Sequence, residues 1–142
     1  MNFDRIHHLT FVVRNLQESV RRYQGDLGIG SIETQPLPTR GVLTARFRVG
    51  ATWIVLVQPI DAGEPMTRLL EHGEGLFLVS YEVKDLYAAL AELESRGAAR
   101  AGPVREGLEG WLVVDIATNA NPGALTQLCQ VKSVGASSTQ AR

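Results

Sequence analysis

The sequence predicts an α+β protein built from two tandem βαβββ units, whose strands form a partly open, barrel-like mixed sheet around a cavity. Two observations predict it. Residues 8–20 (HLTFVVRNLQESV) and 78–90 (LVSYEVKDLYAAL) follow one pattern at an offset of 70 positions. In each copy an alternating strand runs into a capped helix, and several short strand-like segments follow that helix. At 142 residues the chain suits one domain with a core of its own.

The two predicted helices begin after Asn15 and Asp85. Both side chains accept a hydrogen bond from the free backbone N–H groups at a helix start, and Glu18 completes a capping box after Asn15. Apolar residues recur at helical spacing in each segment, and a glycine follows each predicted end. The apolar positions are Leu16, Val20, Tyr23 and Leu27 before Gly28, and Leu86, Ala89, Leu90 and Leu93 before Gly97.

Strand-like segments bounded by Gly, Pro and Asn follow each helix. They cover residues 30–36, 41–49 and 51–59 in the first half, and 103–106, 111–117 and 123–131 in the second. A linker over 60–74 carries a short helix near 66–71. We therefore expect one domain over 1–132, with repeat one at 4–60 and repeat two at 75–131. The small, polar stretch 133–142 is expected to be disordered.

Strand alternation predicts which side chains face the cavity. The apolar face of each first strand should pack on its helix, and the mixed face should line the cavity. The predicted helix-facing residues are Leu9, Phe11, Val13, Phe77, Val79, Tyr81 and Val83. The predicted cavity-facing residues are His8, Thr10, Val12, Leu78, Ser80 and Glu82. His7 is expected on the opposite face from His8, structural or exposed.

Composition excludes several classes of function. With a net charge of −1, the chain has no excess of positive charge with which to bind nucleic acid or an anionic membrane. No apolar run approaches the roughly 20 residues that span a bilayer. The single cysteine, Cys129, excludes an internal disulfide and indicates a reducing compartment, so we expect a cytoplasmic protein.

Two residues are candidate acid–base groups. His8 on the mixed face either transfers protons near neutral pH or anchors a substrate by a hydrogen bond. The alternative is that it has no functional role, and that its ring forms hydrogen bonds with Gln127 or water. Glu82 is a second candidate base if it is half-buried, because burial raises the pKa of a carboxyl group. Its position near the strand end instead favours a side chain exposed to solvent, with no catalytic role.

The candidate substrate-binding residues are Thr10, Thr44, Arg46, Trp53, Ser80, Asp115 and Gln127. Arg46 and Arg48 share strand parity with Thr44, so one of them either clamps an anionic group or points to solvent. Asp115 is either a cavity carboxylate or an arginine partner. Trp53, Trp111 and Tyr81 are interpreted as core, interface or pocket wall, and Cys129 as a small buried residue.

The repeated motifs resemble those of the vicinal oxygen chelate (glyoxalase/bleomycin-resistance/dioxygenase) superfamily. HHLTFVVRNLQESVRRYQGDLG is similar to the opening DHIxxxVxDLxxSxxFYxxxLG of its methylmalonyl-CoA epimerase and glyoxalase-like branch. EGLFLVSYEVKDLYAALAELESRG and ATNANPGALTQL are similar to that branch's GxHHIxxEVxDLxAAxxxLxxxG and HPxxxxGxLxEL. The superfamily hosts epimerases, lyases, dioxygenases, thiol transferases and drug-binding proteins.

The resemblance implies which positions carry chemistry. Four metal-ligand positions fall at His8, Val55, Leu78 and Gln127, and only His8 is a good ligand. The epimerase bases fall at Thr44 and Gln127, which take no proton near neutral pH. We therefore expect no metal and no cofactor.

Two hypotheses follow for the function. The first is a metal-independent lyase or isomerase acting on a small carbonyl- or carboxylate-bearing metabolite, with His8 and Glu82 as candidate catalytic groups. The alternative is a non-catalytic protein of the bleomycin-resistance type that binds an antibiotic or a metabolite. The superfamily's habit of pairing two chains predicts a homodimer. A small molecule is the expected ligand in either case.

Overall fold

The computed structural model describes residues 1–131, and the segment 133–142 that was expected to be disordered lies outside the described residues. The helices are α1 (Leu16–Asp26), α2 (Glu64–His72) and α3 (Leu86–Ser95). The strands are β1 (Arg5–Val12), β2 (Glu33–Leu37), β3 (Val42–Val49), β4 (Thr52–Pro59), β5 (Gly75–Glu82), β6 (Ala99–Arg100), β7 (Arg105–Glu106), β8 (Leu112–Ala117) and β9 (Leu125–Gln130).

All nine strands of the described residues belong to one mixed sheet. Its order is β2-β3-β4-β1-β5-β9-β8-β6, with β7 also paired to β8. The first strand of each half pairs in parallel with the last strand of that half, β1 with β4 and β5 with β9. The two halves meet where β1 pairs antiparallel with β5. This confirms the predicted α+β class; the bounds of the domain stay a prediction.

The helices start where the capping residues predict. The side chain of Asn15 accepts from the backbone N–H of Glu18 at 2.9 Å, and that of Asp85 accepts from Ala88 at 3.1 Å. Each helix then buries its apolar face against its own half of the sheet, which forms two separate clusters. The α1 cluster contains Val13, Leu16, Ala45 and Leu56, and the α3 cluster contains Val83, Leu86, Leu90, Val114 and Leu128. The third cluster lies on the other face of the sheet and surrounds the cavity.

Two β-bulges between β1 and β5 change which side chains face the cavity. The register shifts between Ile6 and His8, so His7 is an extra residue in β1. It shifts again between Thr10 and Phe11, where Phe77 is the extra residue in β5. A bulge breaks strict alternation, so neighbouring side chains can share one side of a strand. The predicted faces of His7 and Phe77 are therefore wrong: His7 is buried beside His8, and Phe77 lines the cavity.

The second half is built from shorter strands than the sequence predicts. The segment predicted as one strand over 103–106 is the two-residue β7, and β6 was not predicted. A short 3₁₀ turn over Pro38–Arg40 precedes β3, and Gly41 ends it in the left-handed conformation with φ of 64°. None of the helices within residues 1–131 is long and apolar enough to cross a membrane.

Candidate functional site

A cavity lies on the face of the sheet opposite to α1 and α3. It receives side chains from both halves, and its volume is about 90 Å³. An engineered apolar cavity of about 150 Å³ in another protein takes benzene, so this one suits a chemical group of roughly three to five non-hydrogen atoms. Its apolar wall consists of Leu37, Val42, Val55, Val57, Phe77, Leu78, Leu108, Trp111, Val113 and Leu125. Its polar residues are His8, Thr10, Arg40, Thr44, Arg105, Asp115 and Gln127.

A larger groove of about 660 Å³ lies elsewhere, between α1 and the edge strand β2. Its polar lining consists of amide, hydroxyl and guanidinium groups from Asn15, Gln17, Arg21, Gln24, Thr34, Gln35, Thr44 and Gln58. Such side chains form hydrogen bonds but do not exchange protons near neutral pH. The smaller cavity is therefore the candidate functional site, because an imidazole and a carboxylate both line it.

His8 enters the cavity from β1 as one member of a buried imidazole pair. The Nδ1 atoms of His7 and His8 lie 2.8 Å apart, so one ring donates a hydrogen bond to the other. Burial, together with the neighbouring His7, lowers the pKa of His8 to about 3. Burial is also the main cause that lowers the pKa of His7 to about 4, although Glu82 opposes it. Both imidazoles are therefore neutral near pH 7, and His8 offers Nε2 as its second ring nitrogen.

Trp111 fixes the position of both imidazole rings. Its ring stacks on that of His8 with centroids 5.3 Å apart and planes inclined by 25°. It meets His7 edge-on at a centroid distance of 4.3 Å. Trp111 was expected to be core, interface or pocket wall, and it is a cavity wall that supports the histidine pair.

The second half contributes a chain of hydrogen-bonded polar groups. Ser80 Oγ donates to Gln127 Oε1 at 2.8 Å, and Gln127 Nε2 donates to Asp115 Oδ1 at 3.1 Å. The other carboxylate oxygen of Asp115 accepts from Arg105 at 3.3 Å. Neighbouring strands bring these residues together, because Ser80 on β5 and Asp115 on β8 both lie opposite Gln127 on β9.

Thr10 and Thr44, from the first half, also line the cavity, and the hydroxyl of Thr44 donates to the Gln35 carbonyl at 2.7 Å.

Four sequence-predicted site residues lie outside the cavity lining: Ser80, which reaches it only through Gln127, and Glu82, Arg46 and Trp53. Glu82 forms an ion pair with Arg5 at 2.7 Å at the end of β5 and does not line the cavity. Strand alternation does point it to that side of the sheet, but the cavity does not extend to the end of the strand. Arg46 and Trp53 form a separate cluster, described next.

Arg46 was a candidate either for clamping an anionic ligand or for pointing to solvent, but it is buried and its Nη2 atom pairs with the protein's own carboxylates. It forms ion pairs with Glu33 and Glu109, each at 3.0 Å. It also lies over the ring of Trp53 at 4.5 Å from the centroid, and over that of Trp111 at 5.4 Å. Arg46 and Trp53 therefore pack behind Trp111, and do not line the cavity.

Two arginines that were not predicted as site residues, Arg40 and Arg105, line the cavity. Arg40 lies in the 3₁₀ turn before β3, where strand alternation gives no direction for a side chain. Arg105 lies on the two-residue strand β7, which is too short for a reliable alternation. The Pro38–Gly41 spacing predicts a tight turn around Arg40, but no local pattern predicts that the turn closes one end of a cavity.

The four metal-ligand positions implied by the superfamily resemblance meet at this cavity, since His8, Val55, Leu78 and Gln127 all line it. Val55 and Leu78 have no donor atom, however, and both amide atoms of Gln127 are already hydrogen-bonded. A divalent cation needs several oxygen, nitrogen or sulfur ligands at once. The residues at these positions therefore do not fit the superfamily's metal.

A different cluster holds three donor atoms close together. Ligand atoms of His7, His8 and Cys129 lie within 4.8 Å of one another, and all three residues are buried. The two imidazoles are hydrogen-bonded to each other, and burial raises the pKa of the Cys129 thiol to about 12. The cluster is thus a neutral, hydrogen-bonded part of the core in the geometry observed.

Sequence comparison assigns the class. The profile of the Glyoxalase/Bleomycin resistance protein/Dioxygenase superfamily matches residues 7–114, and the chain belongs to this superfamily. Among its relatives, the human mitochondrial methylmalonyl-CoA epimerase is 26% identical over 132 residues, which cover 91% of this chain and 75% of the epimerase. An uncharacterised Bacillus subtilis (strain 168) protein, YqjC, is 24% identical over 131 residues, which cover 91% of this chain and 94% of that protein.

Solved structures agree with the fold. A hypothetical protein from Bacillus halodurans C-125 superimposes with a TM-score of 0.84 at 22% identity, covering 96% of both chains. The methylmalonyl-CoA epimerase of Mycobacterium tuberculosis gives a TM-score of 0.84 at 22% identity, covering 92% of this chain and 90% of the epimerase. A further neighbour is a methylmalonyl-CoA epimerase in complex with methylmalonyl-CoA and NH4+, with a TM-score of 0.84, 21% identity, and coverage of 93% and 97%. At this identity the structures show a shared fold.

Proposed function

We propose that the protein is a metal-independent isomerase or lyase that moves a proton on a small carbonyl- or carboxylate-bearing metabolite. The observation that carries the proposal is the neutral imidazole of His8 in a cavity that is also lined by the carboxylate of Asp115. General acid–base catalysis needs a group that can accept a proton and a second that can stabilise or return it. His8 takes the proton and returns it to the product, and the guanidinium of Arg105, held by Asp115, stabilises the negative charge that develops on the substrate.

The low pKa of His8 is compatible with this role only when a ligand is bound. An imidazole with a pKa of about 3 is a weak base in the ligand-free cavity. An anionic ligand, or the negative charge that develops when a carbon beside a carbonyl loses its proton, raises the pKa of a neighbouring imidazole. The base would therefore gain strength once the substrate displaces water from the cavity.

Relatives of this chain support isomerase chemistry. Several carry the name methylmalonyl-CoA epimerase, and one structural neighbour is a complex with methylmalonyl-CoA. The cavity volume of about 90 Å³ is well below the 300–1,000 Å³ of usual ligand pockets. Only the reacting end of a larger substrate would therefore enter it, and any larger carrier would stay outside.

Deuterium exchange tests this function directly. Protein treated with EDTA is incubated in D₂O with short carboxylic acids, keto acids and their thioesters, and loss of the proton beside the carbonyl is followed by ¹H NMR. We expect exchange without added metal, and a loss of about 100-fold or more in His8→Gln, because a general base contributes about 10²–10⁴ in rate. His72→Gln is the matched control, because His72 is 60% exposed on α2. Exchange that needs added metal, or survives in His8→Gln, refutes the proposal.

A binding protein is the second candidate, and the hydrogen bonds of Gln127 and Asp115 favour it. Both side chains already satisfy each other, as a fixed binding wall would. Saturable binding of a small molecule with no exchange in any substrate class would establish this candidate over the first. The homodimer and the cytoplasmic location stay predictions; light scattering on the purified chain tests the former.

A further inference from the structure

One end of the cavity carries more positive than negative charge. The guanidinium of Arg105 contacts Asp115 at 3.3 Å. Arg40 lines the same cavity, and within residues 1–131 it forms neither a hydrogen bond nor an ion pair. The other carboxylate that raises the pKa of Arg40 is Glu64, which is 47% exposed and lies 4.0 Å from Arg68. Two guanidinium groups at this end of the cavity therefore face one half-buried carboxylate, which contacts Arg105, and one positive charge is left over.

The backbone holds these groups in place without a ligand. Arg40 ends a 3₁₀ turn that Pro38 begins, and Gly41 closes that turn with its N–H bonded to the Pro38 carbonyl at 3.0 Å. A Cβ atom at Gly41 would lie 2.9 Å from Cβ of Asp61, so this close approach of the turn to Asp61 requires glycine. On the other side, Arg105 pairs with Val113 across β7 and β8. The site is thus preorganised, which lowers the entropic cost of binding an anion.

The charge arrangement is unfavourable as it stands. Burial, and then the charge of Arg105, lowers the pKa of Arg40, while Asp115 and Glu64 only partly oppose this. Two like charges that converge in a partly buried place repel each other unless an anion joins them. Guanidinium groups bind carboxylates with paired hydrogen bonds, and such bonds are strong because both partners are charged.

We propose that Arg40 and Arg105 bind the carboxylate of a short-chain carboxylic acid or acyl group, whose hydrocarbon part lies against the apolar wall. This inference rests on the proposed function, since it names the substrate class of the same cavity. The apolar wall includes Val55, Leu78 and Val113, which suit one or two carbon atoms and give no partner to a second polar group. The volume of about 90 Å³ also favours an acid of this size.

Calorimetric titration with two matched probes tests the proposal in the wild-type chain. Propionate and propionamide have nearly the same shape, but only propionate is charged. In Tris buffer at constant ionic strength, we expect saturable propionate binding of roughly millimolar affinity. Propionamide should bind at least about tenfold more weakly, because charge-assisted hydrogen bonds are the stronger ones. Equal affinities, or no binding of propionate, would overturn the proposal. Inorganic phosphate binding as tightly as propionate would also overturn it, in favour of a general anion site.

Variants locate the binding. Arg40→Met should weaken propionate binding by about tenfold or more. Arg100→Met is the matched control, because Arg100 is exposed on β6 and its loss changes the net charge equally; it should bind as the wild type does. Arg40→Gln provides a second test if the first variant folds poorly. Unchanged affinity in a folded Arg40 variant would overturn the assignment.

The binding assay separates this inference from the proposed function. His8→Gln should still bind propionate while it loses deuterium exchange. Propionate binding with no exchange on any substrate removes the proposed function and leaves the carboxylate site standing. If propionate and propionamide bind equally and exchange shows no preference for carboxylates, the carboxylate site is refuted. The proposed proton transfer would still be supported by the exchange.

Discussion

The two halves of the molecule share a bulged first strand and a capped helix, but they carry different side chains at equivalent positions. The helix-capping residues Asn15 and Asp85 have φ/ψ of −138°/106° and −132°/104°. The bulged residues His7 and Phe77 lie at the same offset of 70 positions as the repeat itself. The residue after each bulge lines the cavity, but it is His8 in the first half and Leu78 in the second.

This difference shows that the repeat specifies the scaffold, while single side chains specify the function. In the first half, β1 presents an imidazole to the cavity and its parallel partner β4 presents Val55. In the second half, β5 presents Leu78 and its parallel partner β9 presents Gln127. The result is an asymmetric cavity with a neutral imidazole on one strand and a hydrogen-bonding amide on another.

The largest expected effect is on the pH dependence of stability, when His7 and His8 are replaced by the equivalent residues of the second half. The folded-state pKa values of His7 and His8, about 4 and about 3, lie below the usual 6.5. Their contribution to stability is therefore complete above pH 6.5, and is lost as the pH falls through 6.5 toward the folded-state values, because only the unfolded chain then gains protons. The free energy of unfolding should fall by on the order of 3 kcal/mol for His7 alone by pH 4.

The variant His7→Phe/His8→Leu gives the first half the residues of the second and tests this expectation. Urea unfolding between pH 7 and pH 4 should show a much shallower loss of stability than in the wild type. His72→Ala, which removes the exposed histidine, should keep the wild-type slope. An unchanged slope in the double variant would show that other groups cause the acid sensitivity.

The fold was predictable because its signals are local and occur twice. Asn15 and Asp85 mark the helix starts, and alternation identifies the strands that carry Thr10, Ser80 and Gln127. The bulges were not predictable, because a bulge depends on the register between β1 and β5, which are far apart in sequence. Arg40 and Arg105 were missed for a similar reason, since only the tertiary fold brings a turn and a two-residue strand to one cavity.

Truncating the first residue of each helix compares how strongly the two halves are anchored. Leu86 is fully buried in the α3 cluster, and Leu16 is 8% exposed in the α1 cluster. Leu86→Ala should lower the free energy of unfolding by about 3 kcal/mol and Leu16→Ala by about 2 kcal/mol, because a cavity remains in each core. Leu70→Ala, at a position 73% exposed on α2, should change it little. A larger loss for Leu16→Ala than for Leu86→Ala would contradict this expectation, and would show that burial of the first helix residue contributes more to stability in the first half.

The smallest effect concerns a contact that the halves share. The backbone N–H of Leu16 donates to Gln58 Oε1 at 2.8 Å, and that of Leu86 donates to Gln130 Oε1 at 2.7 Å. Each glutamine comes from the last strand of its own half and satisfies one of the free N–H groups at a helix start. Gln58→Met and Gln130→Met should each lower the free energy of unfolding by about 1 kcal/mol in urea titrations.

The two glutamine contacts lie in different halves, so the losses in the double variant should add to about 2 kcal/mol. Gln24→Met on the exposed surface of α1 is the control and should be close to neutral. Unequal single losses would mean that the two helix starts depend differently on the sheet. In that case the similarity of the two halves would extend to their geometry but not to the interactions that stabilise them.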